Sequence, residues 1–307
     1  MYTFIVNPNS RSGTGLRLWN SVESVLKARN VRYQVFFTKY QHHATGIARK
    51  LTSDLERHTI IALGGDGTIN EVINGITSLS KVTLGYIPTG SGNDFARSLR
   101  LPTDPLKALD NILTPVNYTS INIGVLSYED VKRRFAVSSG IGFDAGVCHE
   151  VMVSRLKILL NKIRLGKLTY VGIALKRIIT LTPRSMTLLL DDERKIVFDR
   201  VYFATAMNLA YEGGGFKFCP KADSGDDLLD MIVISNMPKL KALSLLPTAF
   251  KGWHTRFKGV NTYTCKKIDI ISEVPLPLHA DGEPILSQTH MNVCLEPEKL
   301  RIIGTPL

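Results

Sequence analysis

The stretch TIIALGGDGTINEVINGI, Thr59 to Ile76, decides how this chain is read. Ile60 to Leu63 is a short apolar run with β-branched residues. It stops at Gly64-Gly65-Asp66-Gly67-Thr68, after which Ile69, Val72, Ile73 and Ile76 return at helical spacing. The pattern predicts a strand, a glycine turn and a helix. Glycines at 64, 65 and 67 allow positive φ and let a ligand approach the backbone, and the amides that open the helix suit a phosphate. Asp66 adds a carboxylate inside that turn, an acceptor for a metal ion or a reacting hydroxyl. A tight βα turn with a solvated aspartate is the plain alternative.

On the N-terminal side, residues 2–6 predict a strand, Asn7 to Gly15 a loop of turn formers, and Leu16 to Arg29 an amphipathic helix carrying Leu18, Val22, Val25 and Leu26 on one face. Val31 to Thr38 then predicts a strand and His43 to Leu55 a helix. On the other side, a strand over Val82 to Ile87 runs into Pro88-Thr89-Gly90-Ser91-Gly92-Asn93-Asp94, which opens a further helix through Phe95 and Leu99. Alternation of this kind implies an α/β domain with a parallel sheet and right-handed crossovers, with the glycine loops at the carboxyl ends of the strands.

The grammar changes near Asn117. Strands are expected over Asn117 to Leu126, Arg134 to Ser139, Ser185 to Leu190, Lys195 to Ala206, Leu229 to Ser235, Tyr263 to Ile271, Met291 to Glu296 and Leu300 to Ile303. Helical stretches are expected over Val151 to Leu181 and Lys239 to Lys251. The expected division is residues 1–120 and 121–307, the second domain being mainly antiparallel sheet, with the last residues free to pack back on the first.

A chain of 307 residues, 44% hydrophobic and 21% charged, has room for two cores and carries no low-complexity tract. The opening MYTFIVNPNS enters a strand with no basic and apolar leader, and no run reaches the roughly 18 apolar residues of a spanning helix. A cytoplasmic protein is expected. Cys148, Cys219, Cys265 and Cys294 lack CxxC spacing, which favours reduced thiols over zinc or disulfides.

The formal charge of +11 calls for an acidic partner. Val151 to Arg184 holds eight basic residues and no acid, and Pro238 to Lys267 seven more and no acid, both interleaved with Leu, Ile, Val, Phe or Trp253. That composition suits a surface resting on anionic lipid, and charge alone would also accept nucleic acid. Solvated faces of core helices are the bland reading.

Known nucleotide fingerprints fail here: there is no GxxxxGK[ST] and no GxGxxG. What stands instead are glycine turns bearing acids and amides, Asp66, Asn70 and Glu71 in one, Asn93 and Asp94 in another, and His279-Ala280-Asp281-Gly282-Glu283-Pro284 far along the chain. Hard oxygen ligands from several loops suit Mg²⁺ held by one or two carboxylates and substrate phosphates, hence phosphoryl transfer.

NPNSRSG near the start, GGDGTINEVINGI, IPTGSGNDFARSL, GGGFKFCP, DDLLD and HADGEP, in that order, resemble the diacylglycerol kinase catalytic-domain family of lipid kinases, which includes sphingosine kinases and soluble bacterial diacylglycerol kinases. The resemblance spans nearly the whole chain. It implies an NAD kinase-like α/β domain over a C-terminal β-sandwich that binds lipid, ATP in the cleft, and a lipid hydroxyl as acceptor, most directly that of diacylglycerol. Asn7, Ser12, Gly13 and Thr38 would line the nucleotide site, Gly64, Gly65, Gly67, Thr68, Asn70 and Glu71 would form its phosphate turn, and Thr89, Gly90 and Asn93 its further wall. Asp66, Asp94 and Asp281 would be the Mg²⁺ acids, with Asp281 or Glu283 as base; the sphingosine kinase branch favours the aspartate matching Asp66 instead. A structural Mg²⁺ of the soluble bacterial members would fall to Asp226 and the Leu228 carbonyl, although Asp227 stands where those members carry glycine. His279 would orient its loop, and Phe143, Met207, Tyr211, Phe216 and Phe218 would shape the lipid site. The implied setting is the inner face of a membrane, as a peripheral protein with an anionic lipid surface as partner and no nucleic acid; the reading leaves room for a homodimer. Its rivals are an NAD kinase, kinases of a sphingoid base or an isoprenol, and a non-catalytic membrane and nucleotide sensor.

Overall fold

The structure, a computed structural model, describes residues 1–54, 56–142, 145–146 and 180–305. Phe143, Cys148 and the expected helix from Val151, with its basic residues up to Arg177, lie outside the described residues. The chain divides into two units, Met1–Ile123 with Pro297–Leu307, and Gly124–Glu296.

The first unit runs β1 (Tyr2–Val6), α1 (Ser10–Gly13), α2 (Gly15–Ala28), β2 (Tyr33–Phe37), α3 (His43–Thr52), β3 (His58–Gly64), α4 (Asp66–Gly75), β4 (Val82–Pro88), α5 (Asp94–Ser98), α6 (Pro105–Leu113) and β5 (Asn117–Ile121). Its six-stranded sheet has the order β2-β1-β3-β4, then the C-terminal strand Leu300–Gly304, then β5. All neighbours are parallel except the last pair. Alternate residues Phe4, Val6, Ile61 and Leu63 turn to one face, where Trp19, Val22 and Leu26 of α2 and Leu109 and Ile112 of α6 bury them. Trp19, not Leu18, is therefore the centre of the apolar stripe of α2. The expected loop Asn7 to Gly15 contains a helical turn, α1. Helix α6 has no counterpart in the sequence reading, although Asp104 accepts from the Leu106 and Lys107 amides and Pro105 occupies the first helical position, both ordinary start signals.

The second unit holds β6 (Gly124–Tyr128), β7 (Val131–Phe135), β8 (Ser138–Gly142), β9 (Arg184–Leu190), β10 (Arg194–Met207), β11 (Leu229–Ser235), α7 (Lys239–Ala249), β12 (Val260–Cys265), β13 (Lys267–Ala280) and β14 (Glu283–Leu295). Its nine strands pair antiparallel, and β8 and β9 share the same two partners, β10 and β13, at opposite ends. This folds the sheet onto itself as a sandwich around Leu126, Phe135, Leu188, Ala204, Met231, Ile270, Leu278, Met291 and Val293. The parallel α/β unit and the antiparallel sandwich agree with the expected fold class.

Three strands expected as single are divided: Asn117 to Leu126 into β5 of the first sheet and β6 of the second, Arg134 to Ser139 between β7 and β8, and Tyr263 to Ile271 between β12 and β13. The strand Leu300–Gly304, β15, belongs to the first sheet. Apolar runs of this length do not state which sheet will cover them. His279 to Pro284, read as an acidic glycine turn, is the tip of the hairpin between β13 and β14.

Candidate active site

Register sets the first half of the site. Phe37, Val6, Leu63 and Ile87 lie level across β2, β1, β3 and β4. Each strand then hands its next amide to a neighbour: Thr38 N donates to Val6 O at 2.9 Å, Asn7 N to Leu63 O at 2.9 Å and Thr89 N to Gly64 O at 2.8 Å. Thr38, Asn7, Gly64 and Thr89 therefore stand in one row at the carboxyl edge of the sheet.

The glycines are required there by contact. A Cβ on Gly64 would collide with the Thr68 side chain, and one on Gly90 would meet Gly65 Cα at 3.0 Å and Asn93 Oδ1 at 2.8 Å. The two glycine turns thus touch backbone to backbone. Asn7 Nδ2 donates to Thr68 Oγ1 at 3.1 Å, and Thr89 Oγ1 to Ser10 Oγ at 2.8 Å, tying α1, with Ser12 and Gly13, to the same edge. Tyr86, which the sequence reading passed over, donates its hydroxyl to Gly64 O at 3.2 Å.

Asp66 is the first residue of α4 and Asp94 the first of α5, with Gly65 and Asn93 as their N-caps. Asp66 Oδ1 accepts from Phe95 N at 3.3 Å. Burial, and then the charge of Asp94, push the Asp66 carboxyl up to about 7, against the pull of the Phe95, Asp94 and Asn93 amides. Burial, and then the same two acids, hold the Tyr86 phenol well above its ordinary value. Asn93 takes the left-handed conformation at φ 53°, donates to Gly90 O at 3.0 Å, and keeps a buried Oδ1 without a partner among the described residues. Two close carboxylates, one of them pushed toward protonation, with a buried amide oxygen nearby, are a donor set that fits a divalent cation.

Not every expected nucleotide residue is turned to this edge. Glu71 Oε2 accepts from Ala44 N at 3.1 Å and its carbonyl from Thr45 Oγ1 at 2.9 Å, so it serves the start of α3. Asn70 is buried and accepts from Asn74 Nδ2 through its carbonyl at 2.9 Å.

Asp281 belongs to the second unit. At the hairpin tip, with φ 50°, its Oδ1 accepts from Val137 N at 2.7 Å and Ser138 N at 3.0 Å, and its Oδ2 from Ala136 N at 2.8 Å. Its own N–H returns to Ser138 O at 2.8 Å. His279 is fully buried; its Nδ1 accepts from Gly282 N at 3.3 Å, which leaves Nε2 as the donor toward Glu212 Oε1 at 3.3 Å. Glu283, two residues on from Asp281, is partly exposed. Asn208, also unread in the sequence, donates to Ala136 O at 2.8 Å and so supports the loop that grips Asp281.

In the segment proposed for a structural Mg²⁺, Asp226 Oδ1 accepts from Leu228 N at 3.0 Å, and Asp227 fills the glycine position in the left-handed conformation at φ 64°. Asp230 is pushed up to about 6 by burial and by Asp226 and Asp223. Among the described residues no group of three His, Cys, Asp or Glu is arranged to hold a metal.

The second unit also contains a small apolar cavity of about 40 Å³, open on one side and lined by Phe203, Phe218, Met237, Leu245 and Leu246 of that unit, with Tyr202 and His254 as its polar members. Of the residues expected to shape a lipid site, Phe218 lines it, Phe216 stacks on Phe218 with ring centres 5.5 Å apart, and Met207 is buried in the same apolar cluster. Tyr211 lies under Lys217 Nζ, 5.5 Å from the ring centre.

Residues 1–124 match the family described as Diacylglycerol kinase catalytic domain, and residues 137–304 the one described as YegS C-terminal NAD kinase beta sandwich-like domain. A Bacillus subtilis (strain 168) chain provisionally named lipid kinase YtlR is 32% identical over 305 residues, 97% of this chain and 98% of its own length. The chain belongs to the diacylglycerol kinase catalytic-domain family of lipid kinases. Within that family, a Mycobacterium tuberculosis (strain ATCC 25618 / H37Rv) chain named Diacylglycerol kinase is 29% identical over 287 residues, 92% of this chain and 88% of its own. A crystal structure from Bacillus anthracis str. Sterne, provisionally described as a diacylglycerol kinase, shares the fold with TM-score 0.78 at 23% identity, covering 99% of this chain and 97% of that one.

Proposed function

We propose that this lipid kinase uses ATP and Mg²⁺ to phosphorylate a lipid hydroxyl, that of diacylglycerol, giving phosphatidic acid at a membrane surface. The observation that carries the reading is the contact of the two glycine turns, Gly64-Gly65 and Gly90, beside the Asp66 and Asp94 pair. A backbone without side chains admits phosphates against the amides that open α4, as glycine turns at helix starts do. The row Thr38, Asn7 and Thr89 supplies hydroxyl and amide groups for the rest of the nucleotide.

Asp66 and Asp94 would hold Mg²⁺, which supplies charge neutralisation of the transferred phosphoryl group. The carboxylates would orient the ion, Asp94 from the first position of α5. Three amides fix the Asp281 carboxylate in one orientation, and Asp281 or Glu283 would accept the proton of the lipid hydroxyl. Phosphoryl transfer then forms the bond from the lipid oxygen to the γ-phosphorus and breaks the one to the ADP oxygen. The lining of the apolar cavity in the second unit suits hydrocarbon. Diacylglycerol is favoured over a sphingoid base or an isoprenol by the names of its relatives.

Labelled ATP incubated with the protein and mixed micelles of diacylglycerol, a sphingoid base or an isoprenol should label diacylglycerol first. Label in no lipid, or label in NAD instead, would overturn the proposal, and ATP binding without transfer in any mixture would make the protein a sensor.

A further inference from the structure

Helix α7 and the turn after it present an unusual surface. The inner side of α7, through Ala242, Leu245, Leu246 and Ala249, lines the apolar cavity. The outer side and the following turn leave Leu240 79%, Phe250 46%, Trp253 50% and Phe257 42% exposed. Single exposed apolar residues are ordinary, but these four fall within one short stretch of chain. Lys239, Lys251, Arg256 and Lys258 stand exposed among them, Lys241 is partly exposed, and no acid occurs from Pro238 to Lys267.

The aromatic groups are held rather than loose. Phe250 stacks on Phe216 with ring centres 4.2 Å apart. Gly252 turns the chain at φ 72°, where a Cβ would meet Pro220 Cγ at 2.5 Å, and His254 is anchored below by its Nε2 at 3.1 Å from Phe218 O. Lys251 Nζ rides 4.7 Å from the centre of the Trp253 ring, placing an ammonium and an indole side by side. Lys241 Nζ donates to Lys258 O at 2.8 Å, which ties α7 to the far end of the turn.

We propose that the face from Lys239 to Lys258 is the surface by which the protein rests on an anionic bilayer, with Phe250, Trp253 and Phe257 entering the interface and the lysines and Arg256 meeting lipid phosphates. Trp and Phe at headgroup depth beside Lys and Arg are the chemistry of an interfacial anchor, and the acid-free stretch gives the charge complementarity to anionic headgroups. Nucleic acid would use the charges but leave Leu240 and Phe257 without a role. The inference rests on the lipid-kinase reading for its purpose, and on this stretch alone for its geometry.

The chain has two tryptophans, and Trp19 is buried in the first unit, so Trp19→Phe isolates Trp253 as a reporter. Adding phosphatidylglycerol vesicles without nucleotide should shift its emission to the blue, and lipids brominated along the acyl chain should quench it; phosphatidylcholine vesicles should do neither. Lys251→Glu/Arg256→Glu/Lys258→Glu, and separately Phe250→Ser/Phe257→Ser, should each weaken vesicle co-sedimentation by about 100-fold or more, with circular dichroism and melting curves confirming the fold. Unshifted Trp253, unchanged vesicle binding in both variants, tighter binding to a DNA duplex than to vesicles at physiological salt, or a dimer in sedimentation velocity that the Ser variant dissolves would overturn the proposal. Wild-type turnover of a short-chain diacylglycerol in free solution, without vesicles, tests the kinase reading separately.

Discussion

Asp66 and Asp94 open successive helices at the edge of one sheet, and the charge of Asp94, after burial, keeps the Asp66 carboxyl near 7. An acid placed there is strained electrostatically in the folded chain, and that strain can be read by pH as well as by catalysis.

Asp66 has its unfolded value near 3.8 and its folded value near 7. Between them the folded state binds the proton more tightly, so the contribution of Asp66 to stability falls as pH rises through that window and is lost above it. The rise corresponds to about 4 kcal/mol at most. The melting temperature of Asp66→Asn minus that of wild type, without metal or nucleotide, should be smallest near pH 4 and largest above pH 7. A flat difference from pH 5 to 8 would show that the carboxyl is not raised.

The same Asp66→Asn change should lower kcat by about 100-fold or more, the scale of lost charge stabilisation. Steady-state kinetics with saturating Mg²⁺ and ATP check this, and near-normal turnover would remove Asp66 from the mechanism.

Asp281→Asn leaves one carbonyl oxygen for three amide donors and turns an NH₂ group toward an N–H. It should cost about 1–3 kcal/mol of stability and, assayed well below the melting point, about 100-fold in kcat. Lost stability with turnover per folded molecule intact would mean that Asp281 only holds its hairpin.

Glu71→Ala removes the carboxylate that receives the Ala44 amide at the start of α3. The expected result is a loss of about 1 kcal/mol in denaturant unfolding with KM for ATP unchanged. A large rise in that KM with unchanged stability would return Glu71 to the nucleotide.

Gly90→Ala inserts a methyl group against the Gly65 backbone and Asn93 Oδ1. Spreading the two turns should raise KM for ATP by about tenfold. Isothermal titration with a non-hydrolysable ATP analogue would measure the same loss, and wild-type affinity would show that the contact does not shape the nucleotide site.

Much of this protein was legible as text because it is local. The β3 turn and helix, the βα alternation through Asp94, and the change to paired strands after Asn117 are written in spacing and turn residues that act over a few positions. Together they determined the fold class and brought forward Asp66, Asp94 and Asp281 as acids in glycine turns. Only tertiary structure decided how those residues are employed. It split Asn117 to Leu126 between two sheets and drew Leu300–Gly304 beside β4, since strand partners are chosen by cores assembled from residues far apart in the chain. It turned Glu71 to α3 and bound Asp281 to Ala136, Val137 and Ser138, some 145 positions earlier, because a carboxylate settles on whichever amides folding brings within reach. A sequence shows that acids are present; their protonation, their partners and the water around them follow from burial, which no local pattern carries.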